Sequence, residues 1–434
     1  MEPATDSRPG SGLVADTDDG RDWSRLPVDL LVSVVGAPPC LLYASDAVAG
    51  PGGAAFHCPA TAHRRHAADP LPTGPARPRP FLGSGHGWLV TADDASDLHL
   101  LNPVTGDQVA LPPITALHHV ERGTDEQGDP AYLVYENKRH YNYSKNRSEI
   151  FTEPTILEVD QAHNYMYYRV VISASPSSAG RACVVLLLHM PYGEISFARI
   201  GDERWTWVTP SGGGGGNGLP WKETATSTLC TVTPMAWSMC LLDLTPRSMY
   251  SLDLHGPSPV VSKVLAGLSR TVDTKVISGM TRLVGQTIYL VQTPAGDILQ
   301  VWRERDYVDM LTPPVVLPPD YVDDGDRHVS RPLYKVDFHG EKLDMIKSLP
   351  DCALFLGFNG SMCLPVKDFP GFKPDCAYVT DDFMECVNML KYNPREVGIW
   401  SMAEQSMSRL VDVSPVVYPW LTWPSPIWIK PSLL

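Results

Sequence analysis

Proline or glycine fills about one position in six of this chain, 41 prolines and 34 glycines among 434 residues. A proline inside a helix removes a backbone donor and clashes with the preceding turn, so a sequence cut this often cannot be built from long helices. The excess stays below the level, roughly a quarter or more, at which low-complexity disorder is expected. With 43% apolar residues the chain has material for a large core. Its apolar runs are short and rich in Val, Ile, Leu, Tyr and Trp, which predicts a mainly β fold and excludes a helical bundle or coiled coil.

The predicted strands include 88–90, 98–101, 166–172, 183–189, 195–200, 287–292 and 298–302. Between several of them a Pro-to-Gly turn recurs, in Asn102-Pro103-Val104-Thr105-Gly106, Pro191-Tyr192-Gly193 and Pro294-Ala295-Gly296. Proline pre-sets φ early in such a turn, and glycine supplies the left-handed residue that sends the chain back. His339-Gly340-Glu341 is a proline-free relative, and Asn359-Gly360 is the strongest hairpin signal in the chain. Gly106, Gly193, Gly296 and Gly340 stand 87, 103 and 44 residues apart. Blade repeats of four-stranded propellers run roughly 40–50 residues, so these spacings suggest a kelch-like β-propeller of about six or seven blades. Long loops over 118–150, 210–221 and 305–331 would absorb the irregularity. A pair of β-sandwiches or an irregular all-β body is the alternative, but a ring leaves fewer free strand edges.

Lys and Arg total 35 against 49 Asp and Glu, a net charge of −14. That sign repels phosphate backbones and anionic lipid, so neither nucleic acid nor a membrane surface is an expected partner. No run approaches the roughly 18 apolar residues of a membrane span. Residues 1–21 are acidic, small and without the order of a signal peptide, and predict a disordered N-terminus. The nine cysteines include no Cys-x-x-Cys pair, which with the missing signal sequence suggests reduced thiols in the cytoplasm or nucleus. The sequons at Asn142, Asn146 and Asn359 then read as chance. Residues 22–48 carry a helical signal, with Ser24 as N-terminal cap, Pro27 in the first turn, and Leu30, Leu31 and Val34 on one face. Residues 49–80 are rich in Gly, Pro and Ala without hydrophobic period, the pattern of a linker. The body predicted to form the propeller is 81–434.

Each chemical motif is incomplete. His57, Cys58, His63 and His66 have metal-binding donors but lie in the linker-like segment, with no element to fix four ligands. Asp320, Asp323, Asp324 and Asp326 lack the spacing and closing acid of a calcium loop. The Gly212–Gly216 run lacks the Lys-Ser/Thr of a phosphate loop. Gly83-Ser84-Gly85-His86-Gly87 is not in nucleophile-elbow order and predicts a close backbone approach at the start of the first blade. His118, His119 and the tyrosines Tyr132, Tyr135, Tyr141 and Tyr143 read as ordinary loop and strand residues, with partner contact as the alternative. The apolar tail with Trp420, Trp423 and Trp428 is expected to dock on the core. No nucleophile, base and oxyanion donor come together. The expectation is therefore a non-enzyme with no catalytic residue, metal or cofactor.

Two segments resemble known families. Trp23-Ser24-Arg25-Leu26-Pro27-Val28-Asp29-Leu30-Leu31 resembles the opening of an F-box, the helical module that docks on a Skp-type adaptor of a cullin ubiquitin ligase. The body is similar to the KIB-type β-propeller that accompanies F-boxes in a large plant family expanded in grasses. The matching stretches include Gly87-Trp88-Leu89, Leu101-Asn102-Pro103-Val104-Thr105-Gly106, Leu333-Tyr334-Lys335-Val336-Asp337-Phe338, Asp368-Phe369-Pro370-Gly371, Asp381-Asp382 and Trp423-Pro424-Ser425-Pro426-Ile427-Trp428. The resemblance implies a substrate-recognition subunit of an SCF-type ligase. Leu26, Pro27, Leu30, Leu31 and Val34 would contact the adaptor, and the propeller would hold a protein target that the sequence does not identify. Leu41–Val48 would be the second F-box helix, while Ala49-Gly50-Pro51-Gly52-Gly53 stands where the third should begin, leaving the module incomplete. A stand-alone interaction propeller with a non-functional pseudo-F-box is the alternative.

Overall fold

The computed structural model describes residues 37–44, 54–60, 64–66, 80–135, 138–142, 147–151, 153–190, 194–208, 238–243, 248–254, 260–265, 276–277, 280–281, 283–307, 332–382, 397–410 and 424–432. Four sheets are laid down strand by strand in chain order. They start at Phe81–Gly85, Tyr167–Ile172, Ser238–Asp243 and Leu283–Gln292, and each adds its later strands antiparallel on one side. A fifth sheet contains one parallel pair, Cys352–Leu356 with Cys376–Val379. The fold is a mainly β propeller, and the ring solves the edge problem of an all-β chain this long. No helix among the described residues is long and apolar enough to cross a membrane.

The ring is closed by the two ends of the chain. Cys40–Ala44 pairs antiparallel with Ile427–Ile429, with Leu41 opposite Trp428, and on its other side with Ala54–His57, which in turn pairs with Arg64–His66. This corrects the expected helix over 41–48 at residues 41–44, while 45–48 lie outside the described residues. Leu41 and Tyr43 face an aromatic cluster of Phe355, Phe372, Tyr378 and Trp428, whereas Cys40 and Leu42 face Phe81, Leu89 and Leu101. Alternate residues are thus buried on opposite faces, as in a strand covered on both sides, and a short apolar run of that kind cannot be told from a buried helix by periodicity. The stretch read as a linker likewise contributes two strands of the closing sheet. The apolar tail docks as expected through Trp428, and Trp420 and Trp423 lie outside the described residues.

The first strands of neighbouring sheets run close together. A Cβ at Gly83 would stand 2.1 Å from the Val170 carbonyl oxygen, and Ser84 donates its hydroxyl to the Trp428 carbonyl at 2.5 Å. Gly83 therefore serves the close approach read from the sequence. Val120–Thr124 and Pro130–Val134 lie in the predicted 118–150 loop, pair with Thr155–Glu158 in one sheet and share a core with the strands before and after it. Because Phe81–Gly85 and Tyr167–Ile172 touch directly, this sheet does not separate them.

The hairpins at Gly106 and Gly296 form with left-handed glycines, φ 81° and 92°. At His339-Gly340-Glu341 the left-handed residue is Glu341, not Gly340, and the Gly193 turn lies outside the described residues. Gly106 and Gly340 join third to fourth strands, but Gly296 joins a first to a second. The near-44 spacing is therefore not the blade repeat. Asn359-Gly360 joins the hairpin expected of it, but through a longer loop. Its flanking strands pair, Phe355 opposite Met362, but Asn359 is buried and bridged to Ser84, whose carbonyl accepts the Gly360 amide at 2.7 Å. Tertiary contact replaces the tight two-residue turn.

A buried charged network spans the ring. Asp382, just past Cys376–Val379, accepts from Arg169 Nη2 at 2.6 Å and from Arg303 Nη1 at 3.1 Å. Tyr289 adds its hydroxyl to the same carboxylate at 2.9 Å, and Arg303 also donates to the Thr380 carbonyl at 3.0 Å. These side chains come from three sheets, and those of Arg303 and Asp382 are each 1% exposed. Removing one member of a buried ion network leaves the others uncompensated, which costs about 3–5 kcal/mol. Asp382→Asn should lower the free energy of unfolding by that order, while replacing Arg169, Arg303 and Asp382 together with apolar residues should cost less. Gly83→Ala should lose about 1–3 kcal/mol, because the Val170 backbone, unlike a flexible side chain, resists the added methyl. Chemical unfolding of the variants measures both.

Candidate functional site

The strongest gathering of chemically capable side chains outside that network lies on the rim, where the segment after the short helix Ile114–Ala116 meets the hairpin of Val184–His189 and Glu194–Arg199. Leu117 and Val120 are buried in the core on either side of His118 and His119, so the backbone of this dipeptide is held from below. The His119 carbonyl accepts the Tyr135 amide at 2.9 Å. Register places Glu194 directly opposite His189. Packing of two separate elements thus brings 118–119 against 189–194.

The rings form a stack. Trp207 lies on His118 with centroids 4.3 Å apart and 17° between planes, and His119 lies on His189 at 5.2 Å and 11°. His189 contacts the Met190 carbonyl through Nδ1 at 2.5 Å and the Ser196 hydroxyl through Nε2 at 2.9 Å. His118 Nε2 is 3.4 Å from Glu194 Oε2. Neither ring nitrogen of His119 makes a hydrogen bond, although the Met190 carbonyl favours its protonated form.

Burial sets the charge states. Desolvation, reinforced by neighbouring histidines, pushes His119 down to about 4 and His189 down to about 3. It lowers His118 as well and pushes Glu194 up to about 7. At neutral pH the imidazoles are therefore uncharged, with lone pairs available, and Glu194 is poised between its two forms. His118, His119 and Glu194 present ligand atoms that all lie within 4.8 Å of one another.

The outer side of this cluster is exposed and aromatic. Trp207 is 40% and Tyr135 41% exposed, and Ile156, opposite Leu133 on the adjoining sheet, is 45% exposed. Large apolar groups gathered on a polar rim are the usual mark of a protein-contact surface. Tyr132 plays another part, buried with its hydroxyl on the Ala95 carbonyl at 2.7 Å. Tyr141 is on the strand Lys138–Asn142, and Tyr143 lies outside the described residues.

The adaptor-facing residues Leu26, Pro27, Leu30, Leu31 and Val34 lie outside the described residues, as do His63, the aspartates of 320–326 and Gly212–Gly216. His57 lies in the closing sheet with Cys58 just past it, both buried. Cys40, Cys58, Cys183, Cys352, Cys363 and Cys376 are free thiols, and burial raises Cys183 to about 11. Sequence reasoning noticed His118 and His119 but missed Glu194, because the two segments are far apart in the chain and carry no motif. It also quoted Asp382 only as part of a resemblance. An arginine set inside an apolar strand, as at Tyr168-Arg169-Val170-Val171, is the signal that points to a buried partner.

No curated protein matches the chain. Among solved structures it is similar to an oligogalacturonate lyase in complex with manganese, at 11% identity over 90% of this chain and 79% of that one, TM-score 0.33. A protein from Lactobacillus plantarum gives 11% identity over 86% and 96%, TM-score 0.31. Likeness at this level carries no argument about activity. The family model of the KIB1-4 β-propeller matches residues 56–401, most of the chain and nearly all of the ring just described. The chain belongs to the KIB1-4 β-propeller family.

Proposed function

We propose that the protein is a non-catalytic interaction propeller that serves as the substrate receptor of an SCF-type ubiquitin ligase. The observation that carries the interaction reading is a family propeller with the large apolar side chains of Trp207, Tyr135 and Ile156 exposed. The ligase link rests on the F-box resemblance of 23–31, with Leu26, Pro27, Leu30, Leu31 and Val34 against the Skp-type adaptor. Val34 lies six residues before Cys40, where the ring begins. Such a connection spans at most about 20 Å. An adaptor held there would keep the target at high effective concentration near the ubiquitin-charged enzyme of the cullin core, without chemistry by this chain.

One observation favours a second reading, a stand-alone interaction propeller with a pseudo-F-box. Cys40–Ala44 is committed to ring closure, so it cannot also supply the second F-box helix. Pull-down of the full chain with a Skp-type adaptor separates the two. The receptor reading expects binding that Leu30→Asp together with Leu31→Asp reduces at least tenfold, because charge on an apolar docking face is costly. A soluble, folded full chain that captures no adaptor refutes it.

A further inference from the structure

We propose that His118, His119 and Glu194 form a binding site for a divalent transition metal of the zinc class, with the fourth coordination position open to the rim. Three features of the geometry support it. The donor set, two imidazoles and one carboxylate, is one that zinc uses with a solvent-open fourth position. Ligands about 2.1 Å from a tetrahedral zinc stand about 3.4 Å apart. His118 Nε2 and Glu194 Oε2 are already 3.4 Å apart, and the whole set lies within 4.8 Å, so a movement of about an ångström completes the site. His118, the exposed member, has room to make it.

The second feature is an unexplained buried group. His119 is only 6% exposed, yet neither of its ring nitrogens makes a hydrogen bond. A polar group buried without a partner normally costs stability, and a bound ligand would remove that cost. A metal on one nitrogen satisfies it. The third feature is support around the ligands. The Trp207 and His189 rings fix the planes of His118 and His119 by stacking, as outer-shell neighbours orient ligands in metal sites. His189 itself is held by Met190 and Ser196, which leaves it in a supporting role.

The test uses the full-length chain, stripped with chelator and titrated with Zn²⁺ by calorimetry, with Co²⁺ as spectroscopic probe. One ion per chain is expected, with Co²⁺ absorption of the intensity that marks four-coordinate geometry. His118→Ala, at an exposed position, should fold normally by circular dichroism and bind Zn²⁺ at least tenfold more weakly. Glu194→Gln should weaken binding to a similar degree, and the rise in melting temperature with Zn²⁺ should vanish in both variants. Absence of stoichiometric binding, or binding unchanged in either folded variant, overturns the proposal. Loss of binding only on replacing His57 and Cys58 would place the ion elsewhere and overturn it equally.

Discussion

The carboxylate of Asp382 is the point on which the ring depends. It accepts from two guanidinium groups carried by different sheets, in surroundings where an unpaired charge would be severely penalised. Arg169 and Asp382 are 213 positions apart, and Arg303 enters from a third sheet. Apolar packing between blades is tolerant of small displacements, whereas this network has fixed donor and acceptor directions. It therefore contributes registry between sheets more than net stability, since desolvation offsets much of the Coulomb attraction.

Ring closure works with that network from the opposite end of the chain. Cys40–Ala44 is buried on both faces and pairs with Ile427–Ile429 near the last residues. One face completes the core shared with Phe81 and Leu101, and the other completes the aromatic cluster around Phe355 and Tyr378. The same five residues cannot form a helix in an adaptor-binding module. A single strand thus limits how much of the resembled F-box this chain can retain, and any adaptor contact falls to residues before it.

The rim shows how burial and exposure can be combined in one cluster. Below the surface, desolvation holds His119 and His189 neutral and keeps Glu194 from full ionisation at neutral pH. Above it, Trp207 and Tyr135 leave much of their apolar surface to solvent. A contact surface for protein and a set of metal donors are therefore adjacent, with His118 belonging to both.

The sequence by itself determined the fold class. Proline and glycine frequency forbade long helices, and turns such as Asn102–Gly106 and Thr293–Asp297 carry their geometry in local chemistry, so they were legible without partners. Family membership was legible for the same reason, through short fixed stretches. What stayed hidden depended on contacts between distant residues. The Cys40–Ala44 run had no local signal to decide between helix and strand, Asn359-Gly360 gave up its tight turn for a contact with Ser84, and Glu194 reached His118 only through packing. Regular spacing of Gly106, Gly193, Gly296 and Gly340 suggested a repeat that the strand order does not follow. Local backbone preference is written residue by residue, whereas burial and charge pairing exist only once the ring has closed, and tertiary structure alone decided them.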